Sequence, residues 1–159
     1  MIIDGKETAR KIREELAKEI ARSTAKPKLA VVLVGKNPAS LSYVGMKEKA
    51  CAEVGMDYEC VRLDDSVSEE ELLRTVEHAN RDGGIHGIIV QLPLPPHVDK
   101  KKVVAAIDPR KDVDGFTESN AGKCFLGSED GLLPCTPKGV MRLIRETGTE
   151  ISGKDVTVV

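Results

Sequence analysis

The spacing of apolar residues along the chain predicts helices and strands in alternation. In residues 5–23, aliphatic side chains recur every three or four positions between charged ones, which is the pattern of an amphipathic helix. Residues 28–35, KLAVVLVG, instead form a nearly continuous aliphatic run, typical of a strand buried on both faces of a parallel sheet. The remaining elements follow from the same patterns. Further helices are predicted at 40–53, from Ser66 or Ser68 to 81, at 99–107 and at 136–146, and further strands at 57–63, 85–92 and 155–159.

Residues that start and stop helices set several of these boundaries. Ser40 is expected to cap the second helix and Gly55 to end it. Thr136, followed by a proline, is expected to cap the last helix. Residues 110–135 contain four glycines and are expected to be irregular.

The alternation of strands and helices predicts the fold class. We expect an α/β fold with an open, mostly parallel sheet and helices on both faces, arranged in three α/β/α layers. The last predicted strand, 155–159, follows a Ser-Gly-Lys turn and has no later strand to pair with. For that reason the sequence is expected to be a fragment of a longer protein.

The amino-acid composition argues against nucleic acids and membranes as binding partners. With 24 Lys and Arg against 26 Asp and Glu, the net charge of −2 argues against a basic nucleic-acid surface. Two Tyr, two Phe and no Trp leave few rings on which single-stranded bases could stack. No apolar run approaches the ~18 residues of a membrane span, and the N-terminus is too acidic for a signal peptide. We expect a cytoplasmic globular protein without nucleic-acid or membrane partners.

The cysteines and histidines do not have metal-site spacing. The sequence contains four cysteines, no C-x-x-C pair and three histidines that do not cluster with the cysteines. A zinc site is therefore not expected. The cysteines are interpreted as reduced thiols that mostly act as small buried hydrophobic residues.

Candidate site residues lie where predicted strands end. Ligands of open α/β sheets bind outside the carboxyl ends of the strands, which here means segments 35–49, 91–97 and 108–136. Tyr43 and Lys47 are four residues apart and share a helix face, so both tips can reach one ligand. A lysine in a partly apolar cleft can act in proton transfer. The alternative is a solvated helix face.

Two further polar positions follow the third strand. Gln91 ends an otherwise apolar strand, so its amide must find hydrogen bonds or face a cleft. Asp114 precedes Gly115, which permits a tight turn, and its carboxylate could accept hydrogen bonds from a planar amino-heterocycle. The alternatives are a capped strand end and a surface turn. A calcium loop is rejected because the EF-hand spacing is absent.

Known phosphate-loop and nucleophile motifs are missing. The sequence has no G-x-G-x-x-G, no G-x-x-x-x-G-K-[ST] and no G-x-S-x-G. A flavodoxin-like nucleotide binder is therefore not favoured, since two aromatics to sandwich a flavin are also lacking.

Several long motifs together resemble one family, the bifunctional 5,10-methylene-tetrahydrofolate dehydrogenase / 5,10-methenyl-tetrahydrofolate cyclohydrolase (FolD) family. They occur in the family's order across the whole chain. The motifs are IDGK at 3–6, VVLVGKNPAS at 31–40, SYVGMKEKACAEVG at 42–55, GIIVQLPLPPH at 87–97, PRKDVDGF at 109–116, NAGK at 120–123 and PCTPKGVMRLI at 134–144.

The resemblance implies roles for individual residues. Lys47 is similar to the family's catalytic lysine, and Gln91 to the glutamine that tunes it. Tyr43 is similar to the tyrosine that packs on the substrate rings, and Asp114 to the aspartate that anchors the pterin. All four are assigned to catalysis. The residues expected to contact tetrahydrofolate derivatives are Tyr43, Lys47, Val90, Gln91, Leu92, Pro93 and Asp114.

The resemblance also implies an organisation and an activity. Residues 1–150 correspond to the tetrahydrofolate-binding catalytic domain, and 151–159 to the first strand of a truncated Rossmann domain that holds NADP. The full-length protein is expected to be a homodimer, to oxidise methylene-tetrahydrofolate and hydrolyse the methenyl product, and so to serve purine, methionine and histidine biosynthesis. This chain alone is expected to lack dehydrogenase activity, to retain weak cyclohydrolase activity at best, and to expose an unusually apolar surface. A non-catalytic folate-binding module remains the alternative.

Overall fold

The structure, a computed structural model, describes residues 2–158, and within them it contains three strands and six helices. The elements run in the order α1 (Gly5–Arg22), β1 (Lys28–Val34), α2 (Pro38–Val54), β2 (Asp57–Leu63), α3 (Glu69–Arg81), β3 (Gly87–Val90), α4 (Lys100–Ala105), α5 (Glu118–Leu126) and α6 (Cys135–Glu146).

The sheet is open and parallel, with strand order β2-β1-β3. β1 is central, and its Leu29 stands opposite Tyr58 of β2 and Gly87 of β3. A single parallel bridge between Ile88 and Asp112 extends the sheet beyond β3. Because every strand runs the same way, the ends of β1 and β3 open onto the same edge, as the sequence predicts.

Alternate residues of β1 enter two separate cores, which makes the molecule three-layered. Val32 and its even-numbered neighbours pack with Leu72 of α3 and Val103 of α4. Val31 and Leu33 pack on the opposite face with Val44 of α2. α1 lies outside α2. The predicted α/β/α arrangement is therefore confirmed, and its cause is the uninterrupted aliphatic sequence of β1.

The starts of two helices differ from the prediction. α2 begins at Pro38, and its cap is Asn37, whose side-chain oxygen accepts from the backbone N–H groups of Ala39 and Ser40. Asn37 has the capping carbonyl and precedes a proline suited to the first helical position, so it displaces Ser40. α6 begins at Cys135 after Pro134, without a side-chain cap, so Thr136 does not cap it.

The stretch predicted to be irregular contains α5. Thr117 caps this helix by accepting from the Asn120 backbone N–H, and Gly127, in the left-handed conformation at φ 71°, ends it. The glycines at 122 and 131 made this stretch resemble an irregular segment in the sequence. Thr117 as a cap and Gly127 as a stop were nevertheless present. By contrast, Ser68 caps α3 as predicted, with Glu71 N–H as donor.

The predicted terminal strand is not seen. Residues 155–158 have no strand conformation, and Val159 lies outside the described residues. A β-strand needs a hydrogen-bonded partner, and no other segment in residues 2–158 pairs with this one. β3 is also shorter than the predicted 85–92, because Gln91 and Leu92 already turn away into the loop.

Two of the four cysteines are more accessible than predicted. Cys51 is buried and Cys60 half-buried, whereas Cys124 and Cys135 are exposed, and all four are free thiols. The interpretation of the cysteines as mostly buried was therefore wrong for the two on α5 and α6. Across the described residues, no group of histidine, cysteine and carboxylate side chains could hold a metal ion. Among the described helices, none has the length and apolar character needed to cross a bilayer.

Large apolar side chains are exposed on the last two helices. Phe125 at the end of α5 is 91% exposed, and Val140 and Met141 of α6 are exposed as well. None of the α6 side chains is buried. These helices therefore present apolar surface that the rest of the described chain does not cover.

A lysine ties the loop after α4 to the end of α3. The Lys111 ammonium donates to the backbone carbonyls of Ala79, Asn80 and Asp82 at 2.7–3.0 Å. These are carbonyls at a helix C-terminus, where a cation is favourable. The contact fixes the segment that leads into the bridge at Asp112.

Replacing this lysine should destabilise the fold. Lys111→Met leaves three half-buried carbonyls without their charged donor, so we expect the free energy of unfolding to fall by about 2–3 kcal/mol in urea denaturation. Lys18→Met, on the exposed face of α1, is the matched control, and we expect a change within about 0.5 kcal/mol. Equal effects in the two variants would contradict the anchoring role.

Candidate active site

The candidate site lies at the edge of the sheet where β1 and β3 end. α2 starts four residues after β1 and carries Tyr43 and Lys47 across this edge. Gln91 is the first residue after β3. Asp114 follows the bridge at Asp112, beside β3. Three segments that are distant in sequence thus converge where open α/β sheets bind ligands.

Lys47 and Gln91 form the central contact of the site. The Lys47 ammonium donates to the Gln91 side-chain oxygen at 2.9 Å, and both side chains are partly buried. The Gln91 amide nitrogen donates to the Leu92 carbonyl at 2.9 Å, which leaves its oxygen for the lysine. Because the amide is neutral, it orients the ammonium by a hydrogen bond rather than by an ion pair.

A second helix residue supports this contact. The Ser40 hydroxyl, buried on α2, donates to the same Leu92 carbonyl at 3.4 Å. It joins the first turn of α2 to the loop after β3. Sequence reasoning assigned Ser40 only to capping, because a serine near a predicted helix start matches that signal and its tertiary partner does not show in the sequence.

Tyr43 lies one helical turn before Lys47 on α2. Its side chain is 56% exposed. A ring on the rim of a cleft can stack on a planar ligand at little conformational cost. Phe116 is similarly exposed at 53% beyond the Asp114 turn, and sequence reasoning did not select it.

Asp114 is a half-buried carboxyl, and different parts of its surroundings shift its pKa in opposite directions. Burial raises the pKa of Asp114 above its ordinary value, and the positive charge of Lys47 offsets part of this effect. The negative charge of Asp112 adds to the increase, while the nearby Cys135 thiol opposes it. A carboxyl group held in this way has unused acceptor capacity toward a ligand.

Cys135 is a neighbour of the site that the residue spacing did not reveal. Its thiol donates to the Val113 carbonyl at 3.2 Å and contacts Asp114. Although Cys135 is exposed as a residue, its thiol is partly desolvated, which raises the pKa of Cys135, and the negative charge of Asp114 raises it further. The only sequence signal was its place in the motif PCTPKGVMRLI.

Gly115 is required by close packing as well as by its backbone conformation. Its φ is 67°, and a Cβ at this position would lie 2.6 Å from the Leu132 carbonyl oxygen. The chain at 132–134 therefore crosses directly over the turn after Asp114. The predicted tight turn is confirmed.

Asp112 is a buried carboxylate below the same turn. It accepts hydrogen bonds from the backbone N–H groups of Phe116 at 3.2 Å and Thr117 at 2.8 Å, and from the Asn120 amide at 3.0 Å. Burial alone would raise the pKa of Asp112, but these hydrogen bonds outweigh it and hold the pKa below its ordinary value. Asp112 therefore holds the turn together from a buried position.

The other residues expected to contact a substrate differ in how they face the cleft. The Val90 side chain is buried in the core between the sheet and α3, so only its main chain faces the loop. Leu92 is half-buried, Pro93 is exposed, and the peptide bond between them is cis. Leu92 and Phe116 also line a cavity of about 500 Å³. Its remaining walls are Lys100, Lys101, Val104, Ala105 and Glu118.

This arrangement suits binding of a planar, nitrogen-rich ring and transfer of protons to it. It combines a lysine on a neutral amide, a carboxyl acceptor and an exposed aromatic ring. A dinucleotide does not fit the described residues. Residues 2–158 contain neither a glycine-rich phosphate loop nor a strand in 151–158 that could lead into one.

The fold and site define a parallel α/β domain with a polar cleft at the carboxyl ends of its strands. A model of the family described as tetrahydrofolate dehydrogenase/cyclohydrolase, catalytic domain, matches residues 3–114. This chain belongs to that family.

Individual relatives agree with this assignment. The bifunctional protein FolD of Bacillus pumilus is 52% identical over 99% of this chain and 56% of its own length. A crystal structure of the bifunctional FolD enzyme from Campylobacter jejuni is similar with a TM-score of 0.94 at 43% identity, covering 98% of this chain and 56% of that one.

A further similar structure is described with ligands. It is the Trypanosoma brucei FolD protein complexed with NADP cofactor and inhibitor, with a TM-score of 0.92 at 38% identity, covering 97% of this chain and 54% of that one. This chain thus spans about half the length of the relatives it matches.

Removing the charge of Asp112 and removing the charge of Asp114 should change the free energy of unfolding in opposite directions. A carboxyl with a raised pKa in the folded state destabilises the protein once it ionises, so Asp114→Asn should raise the free energy of unfolding at pH 7, by about 0.5–1 kcal/mol. A carboxyl whose pKa is lowered by folding stabilises the folded state at any pH above its pKa in the unfolded chain. This stabilisation is lost as the pH falls through its pKa in the folded state. Asp112→Asn should therefore lower stability at pH 7, by about 1–3 kcal/mol.

Urea denaturation at pH 7 and at pH 4 provides the measurement. For Asp114→Asn the difference from wild type should be smaller at pH 4 than at pH 7, because the raised pKa makes the wild-type carboxyl largely neutral at pH 4. For Asp112→Asn most of the difference should persist at pH 4, because the pKa of Asp112 lies below its ordinary value of 3.8. Equal losses of stability in the two variants at pH 7 would contradict the opposite surroundings described for Asp112 and Asp114.

Proposed function

We propose that this site binds tetrahydrofolate derivatives and supports hydrolysis of 5,10-methenyl-tetrahydrofolate to 10-formyl-tetrahydrofolate. The observation that carries the proposal is the hydrogen bond between Lys47 and Gln91 at 2.9 Å. Asp114 lies close enough for the positive charge of Lys47 to lower its pKa. Family membership and the names of the relatives support the choice of substrate.

Asp114 and Tyr43 hold the substrate in this proposal. The two oxygens of Asp114 accept hydrogen bonds from adjacent N–H donors on the edge of the pterin, as paired carboxylate contacts do. The ring of Tyr43 packs on the substrate's ring system one helical turn from Lys47. The main chain at Val90 and the side chains of Leu92 and Pro93 form the remaining wall.

Lys47 carries out the acid/base steps. Water attacks the electrophilic methenyl carbon, which forms a new carbon–oxygen bond, and one carbon–nitrogen bond then breaks as the ring opens. The attacking water loses both of its protons as its oxygen becomes the formyl carbonyl: one goes to the leaving nitrogen and the other is released to solvent. Lys47 is placed to relay these protons. Gln91 keeps the Lys47 side chain directed at this carbon through its hydrogen bond.

The wider activity of a protein with the relatives' length is part of the same proposal. Residues 1–150 form the tetrahydrofolate-binding catalytic domain, and 151–159 begin a Rossmann domain that binds NADP for oxidation of methylene-tetrahydrofolate. The Trypanosoma brucei relative, described as complexed with NADP, supports the choice of cofactor. Such a protein would act as a cytoplasmic homodimer and supply one-carbon units for purine, methionine and histidine biosynthesis.

Hydrolysis by this chain tests the role of Lys47. We follow the loss of methenyl-tetrahydrofolate absorbance with the chain, with Lys47→Met and with Lys49→Met. The rate above background should fall by about 100-fold or more in Lys47→Met, the scale of a lost acid/base group. Lys49 is exposed on the same helix and forms no side-chain hydrogen bond or ion pair within the described residues, so its variant should stay within about twofold of wild type.

Two different results would contradict the proposal, one for the role of Lys47 and one for catalysis by this chain. Equal rates for wild type and Lys47→Met, both above background, would contradict the catalytic role of Lys47. Tetrahydrofolate binding with no hydrolysis above background would make the chain by itself a folate-binding module, which is the non-catalytic alternative.

A further inference from the structure

A second hydrogen-bond network lies directly beneath the Asp114 turn. Its members are Asp112, Thr117 and Asn120, together with residues 132–135, which we call the strap. Asp112, Thr117 and Asn120 are each no more than 3% exposed. None of the three is among the residues to which a catalytic or binding role has been assigned above.

Asn120 connects three segments with one side chain. Its amide nitrogen donates to the Pro109 carbonyl at 2.8 Å and to the Asp112 carboxylate at 3.0 Å. Its amide oxygen accepts from the Leu132 backbone N–H at 3.2 Å. Both donor hydrogens and the acceptor are therefore used, and only an amide of this length supplies all three contacts.

The strap holds the turn from the opposite side. Its backbone crosses Gly115 so closely that a Cβ would lie 2.8 Å from the Pro134 nitrogen. At its end, the Cys135 thiol donates to the Val113 carbonyl at 3.2 Å. Asp114 is thus held between a carboxylate network below and the strap above, and Asn120 is bonded to both.

We propose that Asn120 is a positioning residue that sets the place of the Asp114 carboxylate by bonding Asp112 and the strap together. This inference rests on the proposed function, since Asp114 is taken to anchor the pterin. A carboxylate that must meet two donors at once tolerates displacement of only about 0.5 Å, so the support beneath it decides affinity. Asn120 itself does not touch the substrate.

A double-mutant cycle on tetrahydrofolate binding tests the proposal. Calorimetric titration compares the wild-type chain with Asn120→Ala, Asp114→Asn and the double variant, at a temperature where all four are folded. Each single variant should weaken binding about tenfold or more, and the double variant should be no weaker than Asp114→Asn alone. Ser119→Ala, exposed on the same helix, is the control and should leave affinity unchanged.

Hydrogen exchange gives a local readout of the same network. In Asn120→Ala, the backbone amides of Thr117 and Leu132 should exchange faster, while those of β1 should be unaffected. If Asn120→Ala does not fold, Asn120→Ser, which leaves a smaller cavity, enters the same cycle with the same expectation.

The results separate the two proposals. If Asp114→Asn does not weaken tetrahydrofolate binding, the proposed function itself fails at this residue. If Asp114→Asn weakens binding and Asn120→Ala does not, or if the two losses add in full, the positioning role of Asn120 is overturned.

Discussion

Burial of β1 on both faces is the constraint on which the rest of the structure depends. Its alternate side chains enter separate cores, so α2 must cover one face while α3 and α4 cover the other. With β2 and β3 paired to its two edges in parallel, the chain leaves β1 and β3 at a common edge. The start of α2 and the first residues after β3 are thereby brought together. The hydrogen bond between Lys47 and Gln91 is a consequence of this topology.

The site itself combines groups that are costly to bury with a surrounding network that is well satisfied. Asp112 and Asp114 are two residues apart, yet their pKa values move in opposite directions. Asp112 receives three hydrogen bonds and stabilises the turn, whereas Asp114 is partly desolvated and has acceptor capacity to spare. Such pairing of a supporting and a poised carboxyl is expected where stability is exchanged for function.

Sequence reasoning found the elements with strong periodicity and missed what depends on tertiary contacts. The aliphatic run of β1 and the helical spacing of α1 were sufficient for the layers and the parallel sheet. Tyr43, Lys47, Gln91 and Asp114 were selected from their places at strand ends and from the family resemblance, and the structure brings Lys47 to Gln91 and close to Asp114.

The misses have physical causes. α5 was hidden by glycines, and the roles of Asn120 and Cys135 depend on a segment crossing Gly115, which local sequence does not encode. Location of the ligand by NMR would test the central claim most directly. On titration with tetrahydrofolate, the amides of Tyr43, Lys47, Gln91 and Asp114 should shift, while those of Thr75 and Ala79 on α3 should not. Shifts confined to α3, or no shifts at saturating ligand, would contradict the assignment of this edge of the sheet as the folate site.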